Sequence, residues 1–221
     1  MSGDSGSAVV FDALGTLFDL EPARRALVDL GAPPIALESW YQRILHEAAT
    51  VTIVGSYHPF KELAATALKT TLAQLGLDPH RTEPLDALAE LDPYPEAVDA
   101  LQQLHDGGAR IAVLTNGSVD STKKLLERGG LSALVEDVTS CDEVRRFKPH
   151  PAPYELAAAR VGSPATMVAA HGWDVVGARA AGLDGIWIDR EEREWPFPLD
   201  PPRRATDLAD AARLILASNA A

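Results

Sequence analysis

Five short, continuously apolar runs recur along this chain, and the unequal distances between them constrain the fold more than any other feature. They cover residues 8–11, 110–114, 134–139, 167–170 and 185–188. Hydrophobicity that runs on without alternating marks strands buried on both faces, as in a parallel sheet. Helical patterns fill the later intervals, over residues 96–105, 121–128, 153–161 and 175–181. Gly129-Gly130, Gly162 and Gly182 stand where those helices should stop. The pattern predicts an α/β fold, with a parallel sheet of five or more strands flanked by helices.

The first interval is much longer than the others and holds no strand pattern. From about residue 20 to residue 91 the apolar residues recur at helical spacing. Leu63, Ala64, Ala67, Leu68, Leu72 and Leu75 form one stripe; Trp40, Ile44, Ala48 and Val51 form another. Asp92-Pro93-Tyr94-Pro95 then interrupts the pattern. An all-helical insertion directly after the first strand lies over the carboxyl ends of the strands, where open α/β sheets bind ligands. Residues 20–91 are therefore expected to form a cap, set into a core made of residues 1–19 and 92–221. Such a lid excludes water and shapes a pocket. The charged, Pro-rich segment 191–204 is expected to be a surface excursion ahead of a last helix over 206–216.

Asp12 closes the first apolar run and opens a Gly15-Thr16 turn. A carboxylate with a reference pKa of about 3.9 is ionised at neutral pH, so it can attack as a nucleophile without a base. A structural Asp capping the turn is the plainer alternative. Thr115 and Asn116 end the second run and offer a hydroxyl and an amide as donors. Gly117-Ser118 then opens a helix whose free N–H groups favour an anion, although a plain N-cap explains Ser118 equally well. The formal net charge of −12 repels nucleic acid and anionic membranes. No apolar stretch approaches the ~20 residues that span a bilayer. Cys141 is single, which excludes an internal disulfide and fits a reducing cytoplasm. The opening residues 1–7 are polar, unlike a secretory signal.

Four segments taken together carry a resemblance. They are Phe11-Asp12-Ala13-Leu14-Gly15-Thr16-Leu17-Phe18, Leu114-Thr115-Asn116-Gly117-Ser118, Phe147-Lys148-Pro149 with Tyr154-Glu155-Leu156, and Trp173-Asp174 with Gly177-Ala178-Arg179. In this order, each beside an expected strand end or helix start, they resemble the haloacid dehalogenase superfamily, and within it the type II 2-haloacid dehalogenases. The resemblance covers nearly the whole chain. It implies a Rossmann-like core with an inserted helical cap, and hydrolysis of small 2-haloacids through an ester on the nucleophile. Asp12 would attack the carbon bearing the halogen, halide would leave, and water would open the ester. Lys148 would balance Asp12 and Asp174, with Thr16 on the nucleophile turn and Asp174 orienting the hydrolytic water. Thr115 and Asn116 would bind nucleophile, substrate or halide. Tyr154 matches a family tyrosine near the lysine, and Leu14, Tyr41, Gln42, Leu45, Phe60 and Trp173 would wall the pocket. The resemblance implies no cofactor and no metal, and capped hydrolases of this sort often pair into homodimers through cap helices.

Three departures from the family pattern matter. Tyr41 stands in place of a halide-binding arginine, a loss typically worth about 3 kcal/mol of barrier. Arg43, two positions along the helix, faces elsewhere. Leu14 stands in place of a family tyrosine, which leaves the pocket more apolar. Against the phosphatase version of the motifs, Leu14 and Ala170 also replace two acidic residues, the general acid of Asp-x-Asp-Gly-Thr and a Mg²⁺ ligand. A hard divalent cation needs several oxygen ligands, so phosphate chemistry is disfavoured twice. The stretch Val168-Ala169-Ala170-His171-Gly172 replaces a Ser-Ser-Asn pattern, which makes His171 an unusual polar group, and two readings of it stand. It is either a water-activating base beside Asp174 or a strand-end histidine bonded to backbone. Two other functions stay open: a Mg²⁺-dependent phosphatase or phosphonatase, and a catalytically silent binding or biosynthetic accessory protein.

Overall fold

A computed structural model describes residues 7–190 and 193–219. The chain begins with β1 (Ala8–Asp12), then runs through α1 (Glu21–Asp29), α2 (Ala36–Ile53), α3 (Phe60–Gln74) and α4 (Glu83–Ala87). It continues with α5 (Ala97–Asp106), β2 (Arg110–Thr115), α6 (Val119–Arg128), β3 (Asp137–Ser140), α7 (Cys141–Val144) and α8 (Pro151–Val161). β4 (Ala165–Ala169), α9 (Gly172–Ala180), β5 (Asp184–Ile188), β6 (Arg203–Ala205) and α10 (Leu208–Asn219) complete it.

All neighbouring strands are parallel, in the order β3-β2-β1-β4-β5-β6. β1 therefore sits mid-sheet, buried along its whole length. Its side chains alternate between two cores, as a strand's period of two requires. Val9 and Phe11 join Leu101, Leu104 and Ile215 on one face, while Ala8 and Val10 join Tyr154, Met167 and Trp187 on the other. The chain leaves β1 toward β2 on one side and later resumes at β4 on the other. The order thus reverses beside β1, and a doubly wound sheet opens its ligand crevice outside the strand ends at such a place. Asp12 ends β1 there.

α1 to α4 build a third apolar cluster of their own. Trp40, Ile44, Leu63, Ala67, Leu68 and Leu72 lie inside it, and Cys141 and Phe147 enter from the sheet domain. Trp40 Nε1–H donates to the Ala64 carbonyl at 2.9 Å, tying α2 to α3. Phe147 N–H donates to Thr52 Oγ1 at 3.0 Å, tying the helical insertion to the residue before Lys148. The helical stripes of the sequence thus supply this cluster, except Leu75, which follows α3 and is exposed. Among the described residues no helix is long and apolar enough to cross a membrane.

Two expectations need correction. Part of the expected surface excursion is a strand: β6 pairs in parallel with β5, from Ile186↔Arg203 to Ile188↔Ala205. Three residues, two of them arginines, carry no readable apolar pattern; Arg203 and Arg204 are held by ion pairs to Asp184 and Asp189. The third strand also starts later than its apolar run, because Leu131 and Leu134 are buried from a turn instead. Residues 1–6 of the polar opening segment, and 191–192 of the excursion, lie outside the described residues.

Close packing of α9 on the segment around Pro149 and Tyr154 rests on Gly177. A Cβ there would come within 2.6 Å of both Pro149 Cβ and Tyr154 Oη. Gly177→Ala should therefore cost about 1–3 kcal/mol of stability through overpacking. Urea unfolding of the variant checks this, and an unchanged midpoint contradicts the packing.

Candidate active site

The carboxyl ends of β1 and β4 bring two buried carboxylates to one lysine. Lys148 Nζ donates to Asp12 Oδ1 at 2.7 Å, to Asp174 Oδ2 at 2.7 Å and to the Leu114 carbonyl at 3.2 Å. Lys148 is only 2 % exposed and Asp174 fully buried. The remaining carboxylate oxygens are also satisfied. Thr16 Oγ1 donates to Asp12 Oδ2 at 2.8 Å, and Tyr154 Oη donates to Asp174 Oδ1 at 2.5 Å. Thr16 Oγ1 in turn accepts from Ala170 N–H at 2.9 Å, linking the β1 turn to the end of β4.

Burial alone would push the Asp12 carboxyl up, but the Lys148 ammonium and His171 hold it well below the usual carboxylate range. For Lys148, burial pulls down while Asp12 and Asp174 push up, and the net shift is upward. Burial and the nearby Asp12 raise Asp174 against the pull of Lys148. Both its oxygens nevertheless accept hydrogen bonds, which suits an anion. Asp12 is thus an ionised carboxylate in a dry setting, which favours attack on an electrophilic carbon.

Two cavities flank this cluster. One of about 370 Å³ is lined by Leu14, Phe60, Ala64, Leu88, Thr115 and Ser118. The first turn of α6 also lines it, and Ser118 caps that helix by accepting from Ser121 N–H at 3.2 Å. The other, about 240 Å³, is lined by Tyr41, Gln42, His171, Arg24, Glu38 and Arg190, among others. Burial first, then Asp12 and Asp174, push the Tyr41 phenol well above its ordinary value, so its hydroxyl stays a donor. Lys148 Nζ lies over the Trp173 ring, 5.7 Å from its centre, and the buried Trp173 Nε1–H has no hydrogen-bond partner among the described residues.

Several expected pocket residues are placed differently from one another. Leu45 is half-buried on α2 and lines neither cavity. Arg43 turns away to Gln74, Nη2 to Oε1 at 2.7 Å. Asn116 uses Oδ1 inward, accepting from Lys148 N–H and from Cys141 Sγ–H, both at 3.2 Å, so only its amide N–H groups are left to donate. Burial pushes the Cys141 thiol up to about 12, keeping that proton in place. Thr115 Oγ1 accepts from Gly117 N–H at 3.0 Å. His171 bonds to the Asp12 carboxylate, not to backbone, with Nδ1 3.3 Å from Oδ2. Sequence reading missed Arg24, Glu38 and Arg190; only Arg190 had a signal, its position just past the end of β5.

The donor set fits a divalent cation poorly. An ammonium already sits between the two carboxylates, and Ala170 adds no side-chain oxygen. Among the described residues no group of three or more acidic, His or Cys side chains could hold a metal.

Comparison with known proteins fits this geometry. A profile for haloacid dehalogenase-like hydrolases matches residues 7–182. The chain belongs to that family. It is 33% identical over 218 residues to (S)-2-haloacid dehalogenase 1 of Pseudomonas sp. (strain CBS-3), covering 95% of this chain and 96% of that protein. Haloacetate dehalogenase H-2 of Moraxella sp. (strain B) is 33% identical over 83% of this chain and 85% of its own. The L-2-haloacid dehalogenase of Xanthobacter autotrophicus, solved with chloropropionic acid covalently bound, superposes with a TM-score of 0.85 at 28% identity, over 95% of this chain and 98% of that one.

In this haloacid dehalogenase-like chain the lysine decides whether two carboxylates can be buried together. Lys148→Met should lower the unfolding free energy by about 3–5 kcal/mol near pH 7, since the carboxylates lose their shared cation. In the wild type, Asp12 has a depressed pKa, so its stabilisation is present at neutral pH and lost as pH falls through that low value. In the variant, burial and mutual repulsion raise both carboxyls, which take up protons in the folded state as pH falls. The deficit should therefore shrink toward about pH 4. Urea titrations at both pH values check it, and a pH-independent deficit contradicts the charge account.

Proposed function

We propose that this chain hydrolytically dehalogenates small 2-haloacids through an ester on Asp12, without a metal. The observation that carries the reading is the Lys148 clamp, which keeps Asp12 ionised while burying it. Asp12 attacks the carbon bearing the halogen; the C–O bond forms, the C–halogen bond breaks, and its electron pair leaves with the halide. Thr16 holds Oδ2 of the nucleophile, and Lys148 offsets the charge of Asp12 and Asp174. Asp174, fixed by Tyr154, orients the water that opens the ester.

Thr115 and the first turn of α6, which line the larger cavity, seat the substrate carboxylate together with the neighbouring Asn116 amide, since free N–H groups there favour an anion. Leu14 and Phe60 wall that cavity, so a short apolar chain fits it. In place of the family's arginine, Tyr41 Oη–H and the unpartnered Trp173 Nε1–H receive the halide, with Gln42 at the mouth of the smaller cavity and Leu45 behind on α2. Residues 20–91 act as the cap and residues 1–19 with 92–221 as the core. The names of the relatives, (S)-2-haloacid and haloacetate dehalogenases, support this substrate class. We also assign the chain to the cytoplasm, consistent with its single buried thiol. Two copies pair through the cap, where Ile53 and Val54 are 83% and 70% exposed.

Incubation with chloroacetate or (S)-2-chloropropionate should release chloride, with or without a chelator, and Asp12→Asn should abolish release. One turnover in heavy-oxygen water should label the Asp12 carboxylate. Absence of halide from every short 2-haloacid removes the proposal; activity restricted to aryl phosphate plus Mg²⁺ replaces it. Equilibrium sedimentation should give twice the chain mass, and a monomer at micromolar concentration rejects the pairing.

A further inference from the structure

His171 stands between the end of β4 and the start of α9, in the helix N-cap position, yet its side chain makes no cap hydrogen bond. The ring is directed instead at the nucleophile, with Nδ1 3.3 Å from Asp12 Oδ2. Tyr41 and Trp173 both stack against it, with ring centres 5.3 and 5.7 Å away. Gly15 makes the space: a Cβ there would lie 2.8 Å from His171 Cε1 and 3.1 Å from Nε2. The ring also borders the 240 Å³ cavity, which gives water a way in and a proton a way out. An imidazole is thus held beside the carboxyl carbon that water must attack.

We propose that His171 is the base of the ester-hydrolysis step and that loss of the charge on Asp12, when the ester forms, switches it on. This deepens the dehalogenation reading and rests on it. The charged and titratable groups around the ring are Asp12 from β1, Asp174 from α9, Lys148 from the loop before α8 and Tyr41 from α2. Arg24, Glu38 and Arg190 line the same cavity. Burial pulls the imidazolium pKa down, but the hydrogen bond and charge of Asp12 push it up, and the net shift is upward.

While Asp12 is ionised, Nδ1–H is spent on Oδ2 and His171 cannot take a proton from water. Alkylation turns the carboxylate into a neutral ester. The largest upward contribution then disappears, burial prevails, and His171 gives its proton to solvent through the cavity as the halide leaves. Neutral Nδ1 next accepts a proton from water as the water oxygen bonds to Cγ of Asp12. The tetrahedral adduct expels the alkoxide, and the proton left on the new carboxyl passes to it, giving the 2-hydroxyacid. Asp12 is again an anion and His171 again a cation, so the pair is restored and the sum is one water consumed, one alcohol and one hydrogen halide formed.

Rapid-quench kinetics with chloroacetate separates the two halves, since chloride reports alkylation and the Asp12 peptide mass reports the ester. His171→Gln should release one equivalent of chloride per active site at nearly the wild-type rate. Its steady-state turnover should fall about 10²-fold or more, and the ester should accumulate. Imidazole added to His171→Ala should restore turnover without changing the burst. In wild type, ester decay should slow as pH falls through a single protonation, while the chloride burst does not. Equal losses in burst and turnover, no accumulated ester, or a flat pH profile for ester decay overturns the role of His171 while leaving Asp12 chemistry intact. A wild-type enzyme that forms no ester removes both.

Discussion

One buried ammonium governs this molecule. Lys148 holds two carboxylates that could not otherwise lie together out of water, and each partner arrives from a different part of the chain. Asp12 comes from the end of the central strand, Asp174 from the first turn of α9, the Leu114 carbonyl from β2 and Tyr154 from α8. Coulomb attraction in a dry site scarcely repays the desolvation of three ions unless the leftover donors and acceptors are also matched. Here they are matched, by Thr16 on one carboxylate and Tyr154 on the other. The cluster can therefore form only once the sheet and its flanking helices are in place.

The same lysine couples the helical insertion to the sheet. Its neighbour Phe147 is buried in the cluster made by α1 to α4, with Tyr57 stacked 5.0 Å away and Phe60 tilted at 6.3 Å. Phe147 N–H bonds to Thr52 as well. A shift of the insertion thus pulls directly on the residue before the ammonium. The packing of the insertion and the ion pairing of Asp12 are linked through the adjacent residues Phe147 and Lys148.

Much of the fold was legible because burial on both faces leaves continuous apolar runs, as in residues 8–11 and 110–114. The helices of the insertion were legible as stripes, with Trp40, Ile44 and Ala48 all buried. β6 was not, because an edge strand of three residues held by arginine ion pairs has nothing apolar to repeat. Within the site, Asp12, Lys148 and Asp174 were found by motif order, and the structure brings them together. Arg24, Glu38 and Arg190 went unseen: Arg24 and Glu38 pair directly between α1 and α2 at 2.6 Å, and Arg190, distant in sequence, joins them only at the cavity beside the strand ends.

The sequence by itself determined the first five strands and most helices, their order, the long helical insertion after β1, and the residue types gathered near the strand ends. Those follow from local periodicity and short motifs, which depend on neighbours a few positions away. Tertiary structure alone decided what each polar atom does. It turned Asn116 Oδ1 inward, sent Arg43 to Gln74, left Trp173 Nε1–H without a partner among the described residues and aimed His171 at Asp12 and not at backbone. The reason is that hydrogen-bond partners and burial are set by atoms from distant segments, and a side chain's protonation follows from them.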